Sequence, residues 1–426
     1  MKNTKLAILS LSLVALLVAC QSDPGKKSYI TLSDPENVSM LTDNCKAYID
    51  AMREQQQRIK DEGNDIYKYH DLYGKNGVSI NEENKKDEER VYLDTGDVEG
   101  KNATVRNAVP NRSDKNMGID LKFEVEEGHE KEEYKVLLSD NSKFENAKEY
   151  VTSENSININ NLFVNKQYYW KVVTDDSESK VGTFTTGDYP RWISARPVYN
   201  VRDLGGYMTQ SGKRVKQGLV YRGGEITNKA WSEHLLTNSE ESKKIFNGVM
   251  DIGVELDLRG ATDIGDGYKD YAFKPNENRY KQHAIKSYEE TFTKTRSEVA
   301  AIFDILANAD QEHVYFHCYG GADRTGTIAF LLNGLLGVSY TDLVIDFELT
   351  SYSSINNEHI RSHIDGQQHS YDRWPKLISQ LKTDTTGGYA WDDNKLLKDN
   401  IKDFLSKACS VKSESIAKIE QIMLED

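Results

Sequence analysis

One cysteine in this chain stands ahead of an arginine with five residues between them, in the stretch HCYGGADRTG from His317 to Gly326. The apolar run His313-Val314-Tyr315-Phe316 before it reads as a short strand, and Thr327 to Leu336 after it as a nearly all-apolar helix. A cysteine at such a junction meets the unpaired N–H groups of a helix start and a nearby guanidinium, both of which favour the thiolate. Gly320 and Gly321 let the intervening backbone curl until its amides converge on one point, an anion-binding arrangement. Arg324 can fork two donors onto the oxygens of a phosphoryl group. Thr325 follows it with a hydroxyl able to stabilise a departing thiolate. Together these residues form a phosphate cradle with a nucleophile at its floor. They permit transfer of a phosphoryl group to sulfur followed by attack of water. A lone cysteine is more often a small buried hydrophobe; the offsets of Gly320, Gly321, Arg324 and Thr325 favour chemistry. The nucleotide-binding pattern G-x-x-x-x-G-K-[ST] is absent.

The elements that must position this stretch follow from periodicity. After Pro190 and Pro197 the chain alternates strand and helix patterns. Val254 to Leu258 reads as a strand, while Val299, Ile302, Phe303 and Leu306 line one helical face. Two further helices carry Leu397, Ile401 and Phe404, then Ile416, Ile419 and Met423. This order predicts an α/β domain, a central sheet flanked by helices with its site at the carboxyl end of a strand. Upstream, Ile119, Leu121, Phe123 and Val125 alternate with polar residues, and Tyr134 to Leu138 and Ile157 to Ile159 are shorter strand candidates. Leu41, Cys45, Tyr48, Met52 and Ile59 suggest a helix within Val38 to Lys60. Residues 21–36 suit a polar tether, and the mixed charges of 81–90 a solvated loop.

The formal net charge is −14, which disfavours nucleic acid as a partner. Beyond Cys20 and Cys318 only Cys45 and Cys409 remain, neither a disulfide framework nor a zinc-ligand spacing. A Cys45–Cys409 bridge is conceivable in an oxidising compartment but not favoured. No metal or cofactor is called for, because an arginine clamp and convergent amides neutralise phosphoryl charge. The first residues, with Lys2 and Lys5 before an uncharged apolar segment from Leu6 to Ala19, read as a secretory signal rather than a spanning helix.

Three resemblances extend these readings. HCYGGADRTG resembles the active-site loop of cysteine-dependent tyrosine phosphatases. More narrowly, the chain resembles the bacterial tyrosine/serine protein phosphatase family, related to secreted mycobacterial and listerial enzymes. That family's N-F-R-D-L-G-G-like element stands here as Asn200-Val201-Arg202-Asp203-Leu204-Gly205-Gly206. Its R-S-G-like segment appears as Tyr221-Arg222-Gly223-Gly224, and its D-L-R element as Asp257-Leu258-Arg259. The resemblance implies Cys318 as nucleophile, Arg324 as clamp, and the amides of Tyr319, Gly320, Gly321, Ala322, Asp323 and Arg324 as oxygen ligands. It implies Asp323 as general acid and His317 as a neighbour that tunes the thiol. Arg222 and Arg259 would support the loop or pocket entrance, and Asn200, Arg202 and Asp203 would organise the site. Leu17-Val18-Ala19-Cys20 resembles the lipobox of bacterial lipoproteins, implying cleavage before Cys20 and its lipidation. With Gln21-Ser22 following, it implies an outer-membrane anchor facing the periplasm or exterior. Asn161 to Asp175 and GTFTT (Gly182 to Thr186) resemble the late strands of fibronectin type III modules, implying an all-β sandwich with a carbohydrate or protein ligand, or a passive spacer.

The expected organisation is therefore a signal over 1–19, a tether and helical segment over 20–87, a fibronectin type III-like module over 88–187 and a catalytic domain over 190–426. Some relatives place an acid on a segment after the D-L-R strand, but Gln282 to Phe292 contains no aspartate. His283, Glu289 and Glu290 are weaker substitutes there, and Asp263 and Asp266 shape a turn. Ala322 stands where many relatives carry lysine, which weakens attraction to multiply phosphorylated ligands unless Lys281 or Lys286 leans in. The expected activity is hydrolysis of phosphotyrosine or broader phosphoprotein substrates. The alternatives are a secreted phosphatase for inositol polyphosphates, phosphoinositides or other small phosphomonoesters, and a non-catalytic binding lipoprotein.

Overall fold

The structure is a computed structural model that describes residues 27–70, 117–226, 240–264, 274, 276, 278–286, 289–353 and 373–426. The signal segment, Cys20, the charged run 81–90, the first part of 88–187 and Asp266 lie outside the described residues. Among the described residues no helix is long and apolar enough to cross a membrane. The chain divides into two compact units.

The first unit is built of strands. They are β1 (Ile30–Ser33), β2 (Ile119–Val125), β3 (Tyr134–Ser139), β4 (Lys148–Thr152), β5 (Ser156–Ile159), β6 (Gln167–Val173) and β7 (Gly182–Thr185). They form a three-stranded sheet of order β1-β2-β5 and a four-stranded sheet of order β4-β3-β6-β7. Alternation explains the strands: Leu121 and Phe123 of β2 are buried while Asp120, Lys122 and Glu124 face water. On β3 and β6 the buried apolar set is Tyr134, Val136, Leu138, Tyr168, Trp170 and Val172. The Phe123 and Tyr134 rings meet edge-on at 5.0 Å, joining the two sheets. Residues 21–36, expected as a tether, contain β1, which pairs antiparallel with β2 from Ile30 opposite Val125.

The second unit is an α/β domain. Helix α1 (Asp43–Asp61) is capped by Thr42, whose side chain accepts the Cys45 N–H at 3.4 Å. A five-stranded mixed sheet of order β11-β10-β12-β9-β8 follows. Its strands are β8 (Arg202–Asp203), β9 (Val220–Gly223), β10 (Ile252–Asp257), β11 (Tyr280–Gln282) and β12 (His313–His317). β9, β12, β10 and β11 run parallel, and β8 joins β9 antiparallel. The register sets Phe316 opposite Arg222, and His317 opposite both Gly223 and Asp257. Three motifs far apart in sequence thus meet at the carboxyl ends of the adjacent strands β9, β12 and β10.

Helices flank this sheet: α2 (Arg296–Leu306), α3 (Asp323–Leu336), α4 (Tyr340–Glu348), α5 (Leu397–Asp403) and α6 (Ser413–Ile422). Every residue of α3 from Thr325 to Leu336 is buried, as an all-round apolar helix demands. Gly337, at φ 86°, ends it with the left-handed cap that glycine adopts without a steric penalty. The α2 face of Val299, Ile302, Phe303 and Leu306 is buried as its spacing predicts. Helix α1 contributes Cys45, Tyr48, Ile49, Met52 and Ile59 to the same core as α3 and α4. The helix expected within Val38 to Lys60 is thus present, with its apolar face packed into the core of the second unit.

Candidate active site

Cys318 follows the last residue of β12, and α3 begins at Asp323, so the loop between them spans one strand end and one helix start. The loop turns at Gly321, whose φ of 64° lies in the left-handed region, and a Cβ there would come within 2.2 Å of the Gly223 carbonyl carbon. Only glycine fits so close to a neighbouring backbone. Downstream, Gly326 N–H donates to the Ala322 carbonyl at 2.9 Å, closing the first turn of α3. Upstream, Tyr319 C=O accepts the Glu225 N–H at 2.9 Å, tying the loop to the chain after β9.

The described thiols form an internal comparison. Cys45, Cys318 and Cys409 are all free and buried. Burial pushes Cys45 and Cys409 up to about 12. Burial also opposes ionisation of Cys318, but the Arg324 charge, the Thr325 hydroxyl and the Thr325 and Ala322 N–H groups outweigh it and lower its pKa. The Thr325 hydroxyl is buried and has no other hydrogen-bond partner, so a thiolate beside it is the acceptor it otherwise lacks. Ala322 is buried within the loop, and Arg324 and Asp323 are half-buried at its rim.

A layer of buried polar side chains holds the loop from below. Asn200 Nδ2 donates to the Gly320 carbonyl at 3.0 Å, the Gly321 carbonyl at 3.1 Å and Thr350 Oγ1 at 3.2 Å. Arg222 Nη2 donates to the Gly321 carbonyl at 2.7 Å, while its Nη1 pairs with Asp346 Oδ2 at 2.5 Å. Arg202 lies on the other oxygen of Asp346 at 3.2 Å, reaches its carbonyl at 2.9 Å, and bonds the Asn200 amide oxygen. Burial opposes ionisation of Asp346, yet the two guanidinium groups hold its carboxyl below the usual carboxylate range. Asp203 accepts the Gly205 N–H at 2.8 Å and the Gly218 N–H at 2.7 Å, and pairs with Arg191 at 2.6 Å. The structure places Asn200 directly beneath the loop, Arg202 one step further off through Asp346 and Asn200, and Asp203 on the Gly205 and Gly218 N–H groups.

His317 is fully buried, with Nε2 3.1 Å from Glu255 Oε1 and Nδ1 3.2 Å from the Cys318 carbonyl oxygen. Burial opposes its protonation, but Asp257 and Glu255 outweigh that and raise its pKa. Arg259 bonds Asp257 through Nε and Nη2, both at 2.9 Å, and pairs with Glu225. Arg324 pairs with Asp263 Oδ2 at 2.5 Å, on the short helix Ala261–Ile264. Asp263, expected to shape a turn, thus lies on a short helix and is the ion-pair partner of Arg324. The other candidate acids on that side are engaged elsewhere: His283 Nδ1 lies 2.9 Å from Glu298, and Glu290 pairs with Lys294 at 2.5 Å.

The spacing of HCYGGADRTG left out Asp346, Glu255, Glu225 and Arg191. The one available signal for Asp346 was a carboxylate flanked on both sides by apolar residues in the helical run LVIDF. Such a group is buried only with a countercharge.

A family model described as "Tyrosine phosphatase family" matches residues 193–425, more than half of the 426-residue chain. The chain belongs to the tyrosine phosphatase family. That superfamily is capable of phosphomonoester hydrolysis, and the matched segment of this tyrosine phosphatase-family chain includes residues 317–326. A search of curated proteins finds no significant relative. Among solved structures, the chain is similar to the core catalytic domain of the PP-IP phosphatase SIW14 from S. cerevisiae, crystallised with citrate. The identity is 13%, the match covers 39% of this chain and 88% of that one, and the TM-score is 0.25. So slight a superposition has no bearing on substrate.

Proposed function

We propose that the protein hydrolyses phosphomonoesters through a cysteinyl-phosphate intermediate. The observation that carries the reading is the loop from Cys318 to Arg324, set between the end of β12 and the start of α3; of the three described thiols, all buried, Cys318 is the one whose pKa is lowered, by the Arg324 charge and the Thr325 hydroxyl against burial. In the proposed reaction the Cys318 thiolate attacks phosphorus while Arg324 and the loop amides from Tyr319 to Arg324 bind the three non-bridging oxygens. The ester oxygen leaves with a proton from Asp323. Water then attacks the phosphorus of the cysteinyl phosphate, Asp323 takes the proton, and the sulfur departs as thiolate beside the Thr325 hydroxyl.

Ala322 adds no charge to the loop, and Arg222, Arg259 and Arg324 each face a carboxylate. That balance supports substrates carrying one phosphoryl group, a phosphotyrosyl side chain or a small phosphomonoester, over clustered polyphosphates. Phosphate release from a phosphotyrosine peptide, phosphoserine, small sugar phosphates and inositol phosphates tests this with the wild type, Cys318→Ser and Asp323→Asn. Loss of all release in Cys318→Ser is expected, with a fall of about 10²-fold or more in Asp323→Asn. Faster turnover of inositol polyphosphates than of the peptide would assign the substrate to that class.

The same proposal extends to the rest of the chain. Cleavage before Cys20 and its lipidation would anchor the enzyme in the bacterial envelope, at the outer membrane. The β-strand unit would act as a fibronectin type III-like module preceding the catalytic domain. The two-sheet strand order and the Leu17-Val18-Ala19-Cys20 pattern support these parts.

A further inference from the structure

The structure assigns to helix α1, outside the segment matched by the family model, the task of setting the phosphate loop, with Tyr48 as its positioning residue. The inference rests on the proposed phosphate-binding role of that loop. Tyr48 is fully buried, and its hydroxyl donates to Glu348 Oε2 on α4. Its ring stands 5.5 Å from that of Tyr352, in the turn that follows α4. About two turns of α1 further on, Gln56 Nε2 donates at 2.5 Å to Ser339 Oγ, the residue that caps α4 by accepting the Asp342 N–H at 3.1 Å. Helix α1 therefore holds α4 at both ends.

Two residues before Glu348, α4 carries Asp346, the carboxylate that Arg202 and Arg222 share. Arg222 passes that constraint to the Gly321 carbonyl, and Arg202 passes it to Asn200, which grips Gly320 and Gly321. Each link is buried, and each is a hydrogen bond or ion pair whose geometry weakens steeply when displaced. A shift of α4 thus moves the two carbonyls whose peptide planes orient the loop amides. Those amides are what bind phosphoryl oxygen and depress Cys318.

The test compares full-length wild type with Tyr48→Phe, which keeps the ring and removes the hydroxyl, and with Gln56→Ala, which releases the other end of α4. Ile419→Val, a core truncation in α6, serves as the control for lowered stability. Two readouts need no turnover: inorganic phosphate affinity by calorimetry, and the pH profile of Cys318 alkylation by iodoacetamide. Cys45 and Cys409, buried and raised, leave Cys318 as the reactive described thiol. In Tyr48→Phe and Gln56→Ala, phosphate affinity is expected to fall about tenfold and the alkylation midpoint to rise by about one pH unit. The Ile419→Val control should keep both at wild-type values. Wild-type phosphate affinity and alkylation midpoint in both α1 variants, with melting lowered only as in the control, would overturn the inference. Should the wild type bind phosphate yet hydrolyse no ester, the phosphatase reading fails while these comparisons still decide the role of α1. Should it bind no phosphate, the alkylation profile decides alone.

Discussion

Replacing Asp263 by asparagine should tighten phosphate binding. The Asp263 carboxylate sits 2.5 Å from Arg324 Nη1, so it occupies a donor that a phosphoryl group needs and must leave when one arrives. Two unit charges about 4 Å apart attract by about 1 kcal/mol in a water-like medium and about 4 kcal/mol at an effective dielectric near 20. Side-chain exposures of 17% for Arg324 and 40% for Asp263 place this pair near the solvent limit. Measured pairs of that kind contribute about 0.2–1 kcal/mol. Asp263→Asn should therefore lower the inhibition constant of inorganic phosphate by about 1.5- to 5-fold. Partial burial opposes ionisation of Asp263, but the Arg324 hydrogen bond and charge, with the Gly260 N–H, hold it below the usual carboxylate range. The pair is thus intact at neutral pH and dissolves only as pH falls through that depressed value, so the advantage of the variant should vanish in acid. It should also shrink at high salt. The assay is competitive inhibition of aryl phosphate hydrolysis by phosphate, at low and high ionic strength and at several pH values. An unchanged or weaker inhibition constant at neutral pH would refute the reasoning. A fall of about 10²-fold in kcat with loss of the alkaline limb would instead make Asp263 the proton donor.

Two further outcomes follow from the buried layer. Gly321→Ala would combine a φ of 64° with a Cβ 2.2 Å from the Gly223 backbone, so it should cost about 1–2 kcal/mol or more in urea unfolding and abolish phosphate release, whereas Gly248→Ala, which opens onto free space, should do neither. His317 has a raised pKa in the fold, so its contribution to stability is fully present below the unfolded value of about 6.5 and is lost as pH rises through the raised value. Urea midpoints of the wild type should therefore fall toward those of His317→Asn between neutral and alkaline pH, and parallel curves across that range would remove Glu255 and Asp257 as the cause.

The chemistry of this protein was written locally. Cys318, Gly321, Arg324 and Thr325 lie within eight consecutive positions, and a strand end followed by an apolar helix start is read from adjacent residues. The alternation of Ile119 to Val125 and the face of α2 were equally local, because hydrophobic period is a property of neighbouring residues. The support beneath the loop was not readable in this way. Asp346 meets Arg202 and Arg222 across 144 and 124 positions, and Tyr48 meets Glu348 across 300. Nothing in the types of those residues says which buried charge answers which. Burial forces each carboxylate and guanidinium to find a partner, but only the packed helices decide the pairing. Asp263 shows the same division: its sequence surroundings marked a turn, and the fold put it on a short helix against Arg324.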